Sequence, residues 1–130
     1  HATAGDVMTR SVASLEATSS VQDAVAEFQA HPHSTYPITE HGKVIGLLRR
    51  SICYEWLKNR GLTCADPLSA LPLAKPFLIP PETPVPDLVE TLMRSAVSKA
   101  LVVDAEQKLL GIVTLFDLLK SSRQESGTGF

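Results

Sequence analysis

Shifted by 64 residues, the chain falls into step with itself. Val21 meets Val85, Asp23 meets Asp87, Val25 meets Val89 and Ser34 meets Ser98. One extra residue then enters the later copy, and at a shift of 65 Lys43 meets Lys108 and Gly46 meets Gly111. An internal duplication of this length constrains the fold more than composition does, because each copy must be one structural unit.

Both copies carry the same order of signals. "SVASL" (11–15) and "KPFLI" (75–79) are short strand candidates. In "SSVQDAVAEFQA", Val21, Ala24, Val25 and Phe28 form the i, i+3, i+4, i+7 stripe of an amphipathic helix, with Ser20 and Asp23 at its start as a capping pair. The later copy repeats the stripe with Val85, Leu88, Val89, Leu92 and Met93. Thr83 is its expected cap, and Pro84 stands at the first helical position, where no N–H is needed. A hairpin follows in each copy: "TYPIT" and "VIGLL" around "EHGK", then "ALVVD" and "LLGIV" around "AEQK". Closing helices are "SICYEWLKNR", stopped by Gly61, and "LFDLLKSS".

A β-α-β-β-α unit of this size has a small sheet with one face on its helices and one face uncovered. The expected fold is therefore α/β (α+β), with two pseudo-twofold-related repeats packed through their small sheets, since neither would bury enough surface alone. The expected boundaries are 5–61 and 69–122 for the repeats, 62–68 for the linker and 123–130 for a frayed tail.

Composition narrows the function. Hydrophobic residues make up 44% and charged residues 20%, enough apolar content for a packed core. A net charge of −2 gives no basic excess for a nucleic-acid backbone, so no nucleic-acid partner is expected. The longest apolar run, 109–116, contains Thr114 and falls far short of the ~20 residues of a membrane span. No secretory leader is legible, so the expected location is the cytoplasm, as a free protein or as a cytosolic domain of a larger one. A first residue of His1 rather than Met fits a segment of a longer protein. Cys53 and Cys64, eleven apart, fit neither a metal pair nor a redox pair and are expected as reduced thiols. "HPH" at 31–33 lacks the Cys or carboxylate companions of a metal site. There is no Gly-rich phosphate loop, nucleophile elbow or metal-ligand cluster, so no catalytic residue, no metal and no enzyme are expected.

The copies differ where each closing helix begins. The later one has "GIVTLFDLL", with Thr114 and Asp117 three apart; the earlier has "IGLLRRSIC", with Arg49 and Ile52 in the matching places. Thr-x-x-Asp is a helix-capping pattern. Capping through the backbone leaves carboxylate lone pairs free for a second role. Spacing alone leaves both roles open, and they are compatible.

With its duplication, order of elements and "GIVTLFDLL", the chain resembles a tandem pair of CBS domains, a Bateman module, over residues 5–122. The resemblance implies regulation by an adenosine-containing nucleotide, AMP, ADP or ATP, with no obligatory cofactor. It implies that Asp117 holds ribose hydroxyls, that Thr114 binds ribose or phosphate, and that Lys99 stands where a basic residue contacts phosphates. The adenine is then expected against Ser11, Val12 and Ala13 and against His33, Ser34 and Thr35. The related cleft would be formed by Arg49, Ile52, Phe77, Val97 and Ser98. It is expected to be degenerate, because Ile52 accepts no hydrogen bond from a ribose. A homodimer through the helices is implied, with Trp56, Leu57, Leu118 and Leu119 as surface candidates, and so is an effector domain or protein of unknown identity. Two alternatives stay open: a ligand-free structural or dimerisation module, and a sensor of S-adenosylmethionine or a cyclic dinucleotide.

Overall fold

Leu15–Glu16 (β1) runs parallel to Thr35–Glu40 (β2), with the helix Val21–Ala30 (α2) as the crossover, and β2 pairs antiparallel with Lys43–Arg49 (β3). The same arrangement recurs with Leu78–Ile79 (β4), Val85–Arg94 (α4), Lys99–Val103 (β5) and Leu109–Thr114 (β6). Closing helices are Arg50–Arg60 (α3) and Leu115–Ser126 (α5), and a short helix, Ala4–Val7 (α1), precedes everything. These elements come from a computed structural model, which describes the backbone of residues 1–126 and the side chains of residues 1–120.

Two three-stranded sheets result, ordered β1-β2-β3 and β4-β5-β6. The mixed α/β class expected from the repeat is the one found. The chain folds into two compact units: an early unit, Ala13–Pro76, and a late unit made of His1–Val12 with Phe77 onward. Each sequence copy therefore lends its leading segment to the other copy's core. Val21 N–H donates to Asp66 O at 3.0 Å in the early unit, and Val85 N–H to Ala2 O at 3.0 Å in the late one. Leu47 bridges Ala74, and Ile112 bridges Thr9. These matched bonds keep the 64- and 65-residue offsets, so the exchange of leaders is part of the repeat.

Local chemistry explains the elements. Ser20 Oγ caps α2 by accepting from Asp23 N–H at 3.1 Å. The early hairpin turns on His41 and Gly42, both with positive φ (53° and 80°), the signature of a two-residue primed turn. In the late hairpin Asp104 Oδ1 accepts from the amides of Glu106 and Lys108, at 2.8 and 3.0 Å. Helix α3 stops at Gly61, whose φ of 99° suits glycine. The early core gathers Val21, Ala24, Phe28, Tyr36, Ile38, Leu48 and Cys53. The late core gathers Ala4, Ile79, Leu88, Leu92, Val102, Val113 and Leu118. Each fully buried Leu or Val contributes about 1.5–3 kcal/mol of transfer free energy.

Several expectations are corrected. The first strands are two residues long, not five, because Ser11–Ser14 is mostly exposed and Pro76 lacks an N–H. Thr83 does not cap α4: its hydroxyl donates to Pro80 O at 2.9 Å, and Pro84 takes the cap position, so the helix starts one residue later. Helix α1 and a 3-10 turn at Leu68–Ala70 were not expected. Leu118 is core, only 2% exposed, and so is no surface candidate. The expected tail at 123–130 lies in part outside the described residues, and the α5 backbone runs through Ser126.

Candidate functional site

The residues expected to share one cleft divide between the units. Ser11, Val12, Lys99, Thr114 and Asp117 belong to the late unit; Ala13, His33, Ser34 and Thr35 belong to the early one.

In the late unit three of them converge at the junction of β6 and α5. Lys99 and Thr114 are cross-strand partners in the β5–β6 ladder. Directly opposed residues project from the same sheet face with Cβ atoms ~5 Å apart. Leu115 N–H donates to Ser98 O at 2.7 Å, which ties the start of α5 to the start of β5. Thr114 Oγ1 accepts from Asp117 N–H at 3.1 Å, so the threonine caps α5. Asp117 is exposed, and its carboxylate makes no hydrogen bond or ion pair among the described side chains. Lys99 is exposed as well, without an ion pair among the described residues. Ser11 is exposed and Val12 half-buried, both on the irregular stretch after the Thr9 bridge.

A second Thr-x-x-Asp pair supplies an internal comparison. At α1, Thr3 and Asp6 have the same spacing, and Thr3 N–H donates to Asp6 Oδ2 at 2.9 Å. That contact, with further bonding to the Thr3 side chain, holds the Asp6 carboxyl below its ordinary pKa. Asp6 thus closes a capping box, whereas Asp117 leaves its carboxylate oxygens uncommitted among the described side chains. A helix start also favours negative charge, although the Leu115 and Asp117 amides of the first turn are already given to Ser98 O and Thr114 Oγ1.

The matching junction in the early unit is chemically different. Thr35 opposes Arg49 in the ladder, and Arg50 N–H donates to Ser34 O at 2.9 Å. Arg49 occupies the cap of α3 and makes no side-chain capping bond. Ile52, half-buried, packs against the early core and offers no acceptor. Arg50 is committed locally: its guanidinium bonds to His33 O and lies 5.9 Å from the centre of the Phe28 ring. His33 stacks edge-on against Tyr36, with ring centres 5.4 Å apart. His31 sits 3.6 Å from Glu27. Among the described residues no group of three or more His, Cys, Asp or Glu side chains is placed to hold a metal ion.

Phe77, Val97 and Ser98, expected to wall the degenerate cleft, lie in the late unit. Phe77 O accepts from Leu101 N–H at 2.8 Å. Val97 and Ser98 line an apolar cavity of about 330 Å³ with Leu92, Met93, Ala96 and Leu115. The sequence reading missed this cavity. Its signal was the width of the α4 stripe, which continues past Leu88 and Leu92 to Met93, 60% exposed.

Two tandem β-α-β-β-α units, each with a three-stranded sheet and a closing helix entered from its last strand, define a duplicated α/β module. The CBS domain family model matches residues 4–59 and again 68–123, and the chain belongs to the CBS domain family as a tandem pair. CBS pairs are regulatory modules.

Similar structures include CBSX2 in complex with AMP, 22% identical, covering 97% of this chain and 99% of that one with a TM-score of 0.75. The CBS domain of the bacterial CNNM/CorC family Mg2+ transporter in complex with ATP is 21% identical, covering 92% and 85%, with a TM-score of 0.73. The CBS domains of a transcriptional regulator from Streptococcus pneumoniae are 19% identical, covering 91% and 97%, with a TM-score of 0.72. At these identities the likeness establishes the fold. A curated relative, an uncharacterized protein of Methanocaldococcus jannaschii, is 23% identical over 122 residues, 93% of this chain. The chain spans 44% of that relative's length. No helix among the described residues is long and apolar enough to cross a membrane.

Proposed function

We propose that this CBS pair is a ligand sensor that binds an adenosine-containing nucleotide, AMP, ADP or ATP, through the Thr114–Asp117 junction of the late unit. The observation that carries the reading is the uncommitted carboxylate of Asp117, set against the committed one of Asp6 at the same spacing. A carboxylate accepts both vicinal hydroxyls of a ribose, and the positive end of the α5 dipole with the Lys99 ammonium suits a phosphate. The AMP and ATP complexes of similar folds support naming this ligand class.

The early junction has Ile52 in place of the carboxylate, so the proposal assigns it no nucleotide. Binding would bias an attached or partner protein by favouring one of two conformations, which requires different affinities for them. We also propose pairing with a second copy through the late unit's helices, where Met93 is 60%, Phe116 74% and Leu119 40% exposed.

The test is a thermal-shift and calorimetric titration with AMP, ADP and ATP. A ligand specific to the folded state stabilises it by about 2.7 kcal/mol at a hundredfold excess over Kd. A flat response to all three would favour a ligand-free structural module. A response only to S-adenosylmethionine or a cyclic dinucleotide would move the ligand class.

A further inference from the structure

The leader that lies on the late unit ends its docking beside the Thr114–Asp117 junction. Thr9 and Ile112 exchange two backbone hydrogen bonds, both 2.9 Å, and Ile112 is two residues before Thr114 on β6. One residue back, Met8 lies directly over Gly111. A Cβ at position 111 would stand 2.5 Å from Met8 Sδ and 2.8 Å from Thr9 O, so only glycine allows this seating. Further back, Ala4 N–H donates to Thr83 O at 2.8 Å and Gly5 N–H to Pro81 O at 2.9 Å, while Ala4 is fully buried in the late core.

We infer that residues 2–12 act as a strap whose seating on β6 positions Thr114 and Asp117, so that strap seating and nucleotide binding are coupled. The inference rests on the nucleotide reading above and adds Met8, Thr9 and Gly111 as positioning residues. β6 is an edge strand, and on its outer side the strap provides the Thr9 bridge to Ile112. Unseating the strap removes two hydrogen bonds from the strand end that carries Thr114. Thr114 Oγ1 in turn fixes the first turn of α5 and hence the direction of Asp117. A ligand held by Thr114 and Asp117 therefore favours the seated strap, and by reciprocity the seated strap favours the ligand.

The early unit contains the matching strap without the matching junction. Leu47 and Ala74 exchange bonds of 2.9 and 2.8 Å, and Leu73 Cβ would meet a Cβ on Gly46 at 2.7 Å. There β3 leads to Arg49 and Ile52, with no carboxylate to aim. That strap is an internal control.

The experiment is amide hydrogen exchange on the whole chain, without and with AMP at a saturation first established by calorimetry. Coupling slows exchange at Thr9 and Ile112 by roughly fivefold or more, the lower range of allosteric coupling, and leaves Leu47 and Ala74 nearly unchanged. AMP binding that leaves Thr9 and Ile112 unprotected, or protects both bridges equally, overturns the strap while sparing the nucleotide reading. Absence of heat with AMP, ADP and ATP overturns both. A second measurement uses Gly111→Ala, which should weaken AMP by roughly fivefold or more and lower the preference for AMP over 2′-deoxy-AMP. Gly46→Ala should change neither. If Gly111→Ala fails to fold, Met8→Ala removes the contact more gently and should lower the same preference. An unchanged preference in the folded variant overturns the inference.

Discussion

The amide of Asp117 donates to Thr114 Oγ1 at 3.1 Å, so the residue that ends β6 also caps α5, and the carboxylate three positions on plays no part in that cap. This geometry separates two roles that the spacing alone runs together. Thr114→Val removes the capping oxygen and should cost about 0.5–2 kcal/mol of stability, read as a lower melting temperature without ligand.

Asp117→Asn keeps the shape and removes the charge. Its unliganded melting temperature should stay close to wild type, while AMP, ADP or ATP should weaken by about 1.5–3 kcal/mol for each charge-assisted bond lost, tenfold or more. Calorimetry and thermal melts on the same preparation read both quantities. Normal binding by Asp117→Asn would remove Asp117 from the ligand.

Much of the fold was legible because the duplication checks each assignment twice. Both hairpins and both closing helices follow from a periodicity that recurs at offsets of 64 and 65, and the early copy's Gly61 stop follows from its own chemistry. The exchange of leaders was not legible. Residues 2–12 dock through backbone bonds to Thr83, Pro81 and Ile112, and backbone bonds leave little trace in side-chain pattern. The one trace was Gly111, whose match with Gly46 was noted as a repeat marker; its reason is the close approach of Met8. The α4 start was misplaced by one residue because Thr83 looks like a cap and its hydroxyl instead turns back to Pro80. At the site, spacing found Thr114 and Asp117, but only the contrast with Asp6 shows which carboxylate is uncommitted.

Ile52 is half-buried against the early core, so the early junction should take no nucleotide. Calorimetry should find one ligand per chain. Two equivalent sites would show that a ribose acceptor is unnecessary there. Ile52→Asp offers that acceptor, but a carboxylate near apolar neighbours should lower stability, so binding is to be measured on protein shown to be folded by circular dichroism.

Phe116, 74% exposed, and Met93, 60% exposed, should anchor self-association. Sedimentation at micromolar concentration should show a dimer that Phe116→Ala weakens. Leu118→Ala acts differently, since Leu118 is core and its truncation should cost about 2–5 kcal/mol of stability. A wild-type chain that stays monomeric at every concentration would remove the pairing proposal.

Trp56 and Asp66 give a prediction with a built-in reporter. Trp56 Nε1–H donates to Asp66 Oδ2 at 3.1 Å, and Arg60 lies 3.8 Å from the same oxygen while its guanidinium stacks 4.6 Å from the indole centre. The cluster pins the segment after α3 to that helix. Hydrogen bonds from Trp56 and Cys64, with the nearby Arg60 charge, hold the Asp66 carboxyl below its ordinary value of 3.8. A carboxyl depressed in the folded state stabilises the fold above its unfolded pKa, and that contribution is lost as pH falls through the folded value. Wild type should therefore be more stable than Asp66→Asn by a constant margin at neutral and mildly acidic pH. The margin should shrink once pH drops below about 3.8, as Asp66 takes up its proton. The chain has a single tryptophan, so Trp56 fluorescence melts from pH 7 to pH 3 follow this cluster directly. A margin that is the same at pH 3 and pH 7 would show that the Asp66 charge contributes nothing.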